Sequence, residues 1–264
     1  MEFLSQYIKP RPENSHKGTF GTLKLLCGSN KYTGAALLCC EGALRSGCGL
    51  VKLYTQENVA LPVRVRLPEV IVCHYHEFKE SKANAAVIGC GISDEYENLL
   101  SDILEDIECP CVIDADGINY IAKNINILRK TNCNVVLTPH PMEFSRLTGI
   151  DVDTIQRNRV TLAEEFSRQY GCTLVLKGHG TVIATPDNKT VINTSGNSAL
   201  SKGGSGDVLA GVIGSLLAQG YDPHTAAVLA VYSHGKAGDI LSQEYGCSGV
   251  LPSDLPKVIG KLLG

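Results

Sequence analysis

Four short stretches of this chain combine glycine, charge and histidine in patterns that bear on chemistry. The densest is Gly196–Asp207, GNSALSKGGSGD, which runs straight into the helical pattern VLAGVIGSLLAQG. Glycines 203, 204 and 206 let backbone N–H groups converge on an anion, and a helix beginning there adds its positive end. Asp207 has a plain reading as the N-cap of that helix. It has a sharper one as the base that takes a proton from a hydroxyl attacking a phosphate. The two are compatible. Ser201 stands where a Walker A loop needs glycine before its lysine, so this is not that motif. No G-x-G-x-x-G opens the first strand-to-helix turn either, which disfavours a dinucleotide-binding Rossmann unit.

The second stretch, Leu176–Thr181 (LKGHGT), closes an apolar run, and a lysine followed by glycines suits contact with a nucleotide phosphate or ribose; a surface hairpin turn is the alternative. The third, LTPHPMEF (137–144), holds His140 between two prolines that stiffen its backbone. Pro141 is tolerated at a first helical position, and His140 reads as a helix cap or a ligand contact. The fourth, VIDADGIN (112–119), sets Asp114 and Asp116 two apart beyond an apolar run, to hold Mg²⁺ through water or to cap the next helix. His74 and His76 lack a third ligand and read as a surface pair, and His234 as a packed histidine within a helix.

The elements that must hold these residues alternate along the chain. Short β-rich runs occur at 19–27, 50–55, 69–74, 85–89, 111–114, 134–138 and 173–177, several continuously apolar and so covered on both faces. Helical patterns lie at 34–45, 95–107, 143–147, 154–170, 207–219 and 223–244. This order implies right-handed βαβ units around one parallel sheet, whose ligands collect beyond the carboxyl ends of the strands. Near residue 180 the pattern changes. Runs 181–184 and 190–193 flank the turn Pro186–Lys189 and predict an antiparallel hairpin at one edge. No linker divides the chain, which reads as one domain over 1–264, with no internal repeat.

Composition agrees with an α/β protein. Of 264 residues 44% are hydrophobic and 19% charged, with 24 basic against 27 acidic, too apolar and too balanced for a disordered chain or a nucleic-acid binder. The eleven cysteines are an odd number in a large chain, mostly within apolar runs such as LKLLCG and ALLCCEG, and read as buried thiols. No C-x-x-C occurs, and Cys109 and Cys111 have the wrong spacing for zinc. The opening MEFLSQYIKPRPEN lacks the pattern of a signal peptide, and the longest apolar window, 208–218, is too short to span a bilayer. A reduced, cytoplasmic protein is expected.

Taken together and in order, SHKGTFGTLKLLCGS with GAALL, ALRSGCGLV, VIGCGI, VIDADGIN, LTPHPMEFSRLTG, VLKGHGTVIATP, the GGSGD segment and AVYSHGKAGD resemble the ADP-dependent (S)-NAD(P)H-hydrate dehydratases of the ribokinase-like superfamily, from about Ser15 to the C-terminus. GGSGD alone marks only a superfamily of kinases; joined to TPHP-x-E and SHKGTFG it is specific to the dehydratase. The resemblance implies a ribokinase-like three-layer α/β/α sandwich with a mostly parallel central sheet and an antiparallel edge hairpin. It implies a repair lyase that returns the S epimer of hydrated NADH or NADPH to NADH or NADPH, with ADP in bacterial members and ATP in eukaryotic ones. Phosphorylating the ring hydroxyl turns a poor leaving group into a good one. Carried over by position, Asp207 is the catalytic base, and Gly203, Gly204, Ser205 and Gly206 form the anion hole. Lys177, Gly178, His179, Gly180, Thr181 and Gly206 contact the adenine nucleotide, and Ala35, Gly91, His140 and Asp207 contact the hydrate. Mg²⁺ is implied without assigned ligands, as are a homotetramer and a separate NAD(P)H-hydrate epimerase, since the chain has no N-terminal epimerase domain.

Three departures are mild: Cys90 where proline is usual, Ser205 where threonine is common, and Met142 where glycine is common. The rival activity is that of a ribokinase-like vitamin kinase acting on a hydroxymethyl or hydroxyethyl heterocycle. A catalytically silent nucleotide-binding module would have lost Asp207 or the glycine loop, and both are present.

Overall fold

Among the described residues the short apolar runs become nine strands of three to six residues in one sheet. A computed structural model describes residues 6–94 and 96–264. In chain order the elements are β1 (Thr22–Leu26), α1 (Thr33–Arg45), β2 (Leu50–Thr55), α2 (Glu57–Arg66), β3 (Ile71–His74), β4 (Ala85–Ile88), α3 (Glu97–Asp106), β5 (Cys111–Ile113) and α4 (Asp116–Lys123). The second half continues with β6 (Val135–Leu137), α5 (Pro141–Thr148), α6 (Val152–Arg157), α7 (Arg159–Tyr170), β7 (Thr173–Leu176), β8 (Val182–Ala184), β9 (Thr190–Ile192), α8 (Ser205–Ala218), α9 (Pro223–Gly249) and α10 (Leu255–Leu263). The strand order is β3-β2-β1-β4-β5-β6-β7-β8-β9. Every pairing from β3 to β7 is parallel, and β8 and β9 pair antiparallel at the edge.

Side chains alternate between the two faces of a strand, and this sorts the core into two layers. Leu23, Leu25 and Cys27 pack with α1, α2, α8, α9 and α10 on one face. Leu26, Ala86, Ile88 and Ile113 pack with α3 to α7 on the other. The expected three-layer sandwich is therefore present, with strands β4, β5, β6 and β7 buried along their whole length.

From β1 the chain builds outward to β2 and β3, then returns to β4 and builds the other way. The sheet's switch point lies between β1 and β4, where strand-end loops diverge and leave a crevice. Gly28 after β1 and Cys90 after β4 meet there, the Gly28 amide donating to the Cys90 carbonyl at 2.9 Å.

Several boundaries differ from the sequence reading. The helical run 154–170 is two helices broken at Asn158, whose side-chain amide donates to the Thr154 carbonyl and draws the backbone out of the helix. Of the run 95–107, Glu95 lies outside the described residues, as do the first five of the N-terminal stretch. Three helices lie outside the helical runs read from sequence: α2, which carries Pro62 inside it, and the amphipathic α4 and α10, each under ten residues long. The eleven cysteines are all free. Among the described residues no helix is long and apolar enough to cross a membrane.

Candidate active site

The glycine loop and α8 set the first part of the site. Gly204, at φ +101°, is the N-cap of α8; an L side chain there would be strained and would run into Leu38. This corrects the cap reading of Asp207, which is instead the third residue of the helix, inside its first turn. In the first turn the Ser205 amide donates to the Lys202 carbonyl at 3.2 Å, while the Gly206 and Asp207 amides have no acceptor within the helix and lie at its positive dipole end. Lys202 fastens the loop by donating to the Ser248 and Val250 carbonyls at 2.6 Å each. His234 on α9 is packed as expected, and its Nε2 lies 3.0 Å from the Ser205 carbonyl, bracing the start of α8. Burial brings its pKa down to about 4, so it stays neutral.

Across from this helix start a chain of charges runs between three strand ends. Lys177, just past β7, donates through Nζ to Asp114 Oδ1 at 2.7 Å, and its Nζ is 3.8 Å from Glu143 Oε2. Asp114 follows β5 and is buried, and Glu143 is buried in the first turn of α5. Burial works against the Lys177 charge, but the two carboxylates outweigh it and hold that pKa above its ordinary value. Burial raises Glu143, with Lys177 opposing. His140 is the N-cap of α5: its Nδ1 accepts from the Met142 and Glu143 amides at 3.1 and 3.2 Å, and Glu143 Oε2 accepts from the His140 amide at 2.8 Å. That reciprocal box leaves Nε2 as the protonated nitrogen, 3.2 Å from Glu143 Oε1. Burial, then Lys177, holds the His140 pKa below its usual value.

Asp207 completes this constellation. Its carboxyl oxygen, an Asp114 oxygen and the Cys90 sulfur all lie within 4.8 Å of one another. Burial, followed by Cys90 and Asp114, pushes the Asp207 pKa up to about 9, with Lys177 pulling the other way. The carboxyl therefore holds its proton at neutral pH until ligands change its surroundings. Asp116 does not join Asp114 in a shared site: it accepts from the Ser93 amide at 2.8 Å and lies in the first turn of α4.

Two walls complete the cleft. Gly91, at φ +62°, lies against α1 so closely that a Cβ there would come within 2.6 Å of Ala35 Cβ, which brings those two expected contacts together. On the other side a cavity of about 560 Å³ is lined by Lys177, Gly178, His179, Gly180 and Thr181, by Ser205 and Gly206, and by the segment Ile192–Ser198 that leads out of β9. That volume suits a nucleoside-sized ligand. Gly203 is exposed outside this cavity.

A family model for NAD(P)H-hydrate dehydratase matches residues 23–261. The chain belongs to the NAD(P)H-hydrate dehydratase family. It is 38% identical to an ADP-dependent (S)-NAD(P)H-hydrate dehydratase of Neisseria meningitidis, over 94% of this chain and 86% of the relative. The crystal structure of the Bacillus subtilis ADP/ATP-dependent NAD(P)H-hydrate dehydratase, co-crystallized with ATP/Mg²⁺, superposes with a TM-score of 0.91 at 36% identity, covering 99% of this chain and 95% of that one. A ribokinase-like superfamily protein from Enterococcus faecalis superposes with a TM-score of 0.87 at 28% identity, covering 99% and 93%. The ribokinase-like fold expected from sequence is thus the fold of this dehydratase-family chain.

Some residues of the site carried no signal that the motifs alone could reveal. Arg159, at the start of α7, donates through Nη2 to the Leu176 carbonyl at 2.8 Å and the Lys177 carbonyl at 3.3 Å, and so shapes the KGHG loop. In sequence it is one more arginine on an amphipathic helix. Glu143 was legible, because its position three after His140 is the spacing of a capping box. Asp114 was singled out for a metal or a cap, yet its direct partner is Lys177, 63 residues away.

Proposed function

We propose that this protein restores hydrated NADH and NADPH, in the S configuration, to NADH and NADPH with ADP as phosphate donor. The observation that carries the proposal is Asp207 in the first turn of α8, beside unsatisfied helix amides and in reach of the Asp114–Lys177 pair. The roles carried over by position belong to this proposal.

ADP occupies the cavity lined by Lys177–Thr181 and Gly206, with its terminal phosphate at the start of α8. The hydrate lies against Ala35, Gly91 and His140, with its ring hydroxyl at Asp207. Asp207 takes the hydroxyl proton as that oxygen attacks the β-phosphorus, and AMP departs. Amides of the Gly203–Gly206 turn stabilise charge on the transferring group. Loss of the new phosphate ester as phosphate, with a ring proton, regenerates the dihydropyridine. The vitamin-kinase alternative would stop at the ester.

The donor set fits a hard cation in part. Asp114 and Asp207 offer oxygens within 4.8 Å of each other, while the third group, the Cys90 sulfur, is too soft for Mg²⁺. Asp114, together with nucleotide phosphates, would hold Mg²⁺, which would supply neutralisation of phosphate charge and leave Asp207 to the substrate hydroxyl. Assembly as a homotetramer, a cytoplasmic location and a separate epimerase supplying the reactive epimer complete the proposal.

The deciding experiment incubates the purified protein with hydrated NADH, Mg²⁺ and ADP or ATP, and follows the absorbance of reduced nicotinamide. Nucleotide-dependent recovery with release of phosphate is expected, and Asp207→Asn should abolish it while ADP still binds. A stable phosphate ester without recovery would move the activity to the kinase reading, and unchanged turnover in Asp207→Asn would remove Asp207 as the base.

A further inference from the structure

Directly behind Asp207 the two halves of the sheet and α1 enclose three thiols. Cys27 follows β1, Cys39 lies in the second turn of α1, and Cys90 sits in the turn after β4, all without solvent exposure. Their sulfurs lie within 4.8 Å of one another, with Cys27 Sγ and Cys39 Sγ 3.9 Å apart. Tetrahedral zinc with sulfur ligands at ~2.3 Å sets those sulfurs ~3.8 Å apart. The three side chains therefore converge on one point at nearly the spacing of a thiolate metal site, and they come from three different elements at the switch point of the sheet.

Cys90 belongs to two clusters at once, because its sulfur also lies within 4.8 Å of the Asp114 and Asp207 oxygens. Asp207, Gly91 and Ala35 are all partly exposed, and Ala35 lies one helical turn before Cys39. Among the described residues a second thiol pair, Cys111 and Cys133, also has sulfurs 3.9 Å apart, but no third ligand joins it.

We propose that Cys27, Cys39 and Cys90 form a site for a thiophilic divalent cation of the Zn²⁺ or Cd²⁺ class, entered from the active-site cleft, and that its occupation silences Asp207. Each sulfur that ligates the ion surrenders its proton, so binding releases protons to solvent. Three thiolates on a divalent ion leave a single negative charge in this apolar layer, against four charged groups for the ion and thiolates taken apart, so the ligands offset most of what burial costs. The cost falls on catalysis: a cation held by Cys90 draws the adjacent Asp207 carboxylate toward itself and away from the substrate hydroxyl. Mg²⁺, a hard oxygen-seeking ion, does not compete for this position.

Only the inhibitory consequence rests on the proposed dehydratase activity, and a spectral readout keeps the two separable. Cd²⁺ alone is titrated into the metal-free protein while sulfur-to-cadmium charge-transfer absorption and proton release are recorded. One ion per chain is expected, with recovery of reduced nicotinamide falling in parallel and returning on chelation. Cys39→Ala should weaken binding at least tenfold and keep its turnover in Cd²⁺, whereas Cys133→Ala should titrate like the parent. Cys27→Ala serves in the same role if Cys39→Ala does not fold. No charge-transfer band, or a band unchanged in Cys39→Ala, overturns the site. A filled band with undiminished turnover overturns the inhibition. Absence of turnover before any Cd²⁺ is added refutes the dehydratase reading and leaves the band to decide the site.

Discussion

Asp207 is the proposed base, yet its buried surroundings push its pKa up to about 9. Two consequences follow from that one carboxyl. Between its ordinary value of 3.8 and about 9 the folded chain holds a proton that the unfolded chain has lost, so folding stability falls as pH rises through that window. Asp207→Asn removes the penalty. It should be more stable than the parent by a few kcal/mol at pH 8 and indistinguishable from it below about pH 4. Urea unfolding at a series of pH values checks this, and a gain independent of pH would show that the carboxyl is ionised throughout. The same proton equilibrium should also make kcat/KM for the hydrate rise with pH toward about 9. Stability is thus sacrificed at the residue proposed to do the chemistry, a common trade in active sites. How far this could be read in advance is instructive. The motif GGSGD marked Asp207 as the base, but its protonation comes first from burial and then from Cys90 and Asp114, 117 and 93 residues before it in the chain, which no local pattern links.

Helix α5 shows an element whose cap and whose proposed substrate contact are the same side chain. The segment TPHPMEF gives it a proline at the first position, a histidine cap and Glu143 closing the box. His140→Ala removes the cap and should cost about 1 kcal/mol of stability. It should also raise the apparent KM for the hydrate more than that for ADP. His140→Asn separates the two roles, because asparagine caps a helix well but carries no imidazole. That variant should keep parent stability and still show the raised hydrate KM. If asparagine restores KM as well, the role of His140 is to position α5. Helix α8 illustrates what sequence conveys more poorly. Its run VLAGVIGSLLA is apolar on every side, which tells that it is buried but not against what. Gly211 answers this, lying so close to the Cys39 carbonyl of α1 that a Cβ there would collide with it. The break at Asn158 was also hidden, since both halves of 152–170 keep the same apolar stripe across it.

At the scale of the molecule, nine strands place loops from β1, β4, β5, β6 and β7 at the carboxyl end of the sheet, and the cavity proposed for the nucleotide opens there beside the β8–β9 hairpin. A ligand bound only by this assembled edge stabilises the whole chain by mass action. ADP at one hundred times its dissociation constant should add ~2.7 kcal/mol to unfolding stability, visible as a rise in Tm of several degrees. A chain whose Tm does not move with ADP would not have this pocket as its nucleotide site. The sequence by itself determined the alternating βαβ order, the edge hairpin and the motifs that mark the family, because each is a local matter of side-chain periodicity, turn residues or short spacing. Tertiary structure alone decided that Lys177 pairs with Asp114 rather than standing free, that Arg159 shapes the KGHG loop, and that three cysteines from separate elements converge behind Asp207. Those contacts join residues tens of positions apart, and the packing of the two core layers sets their distances, which no window of the sequence contains.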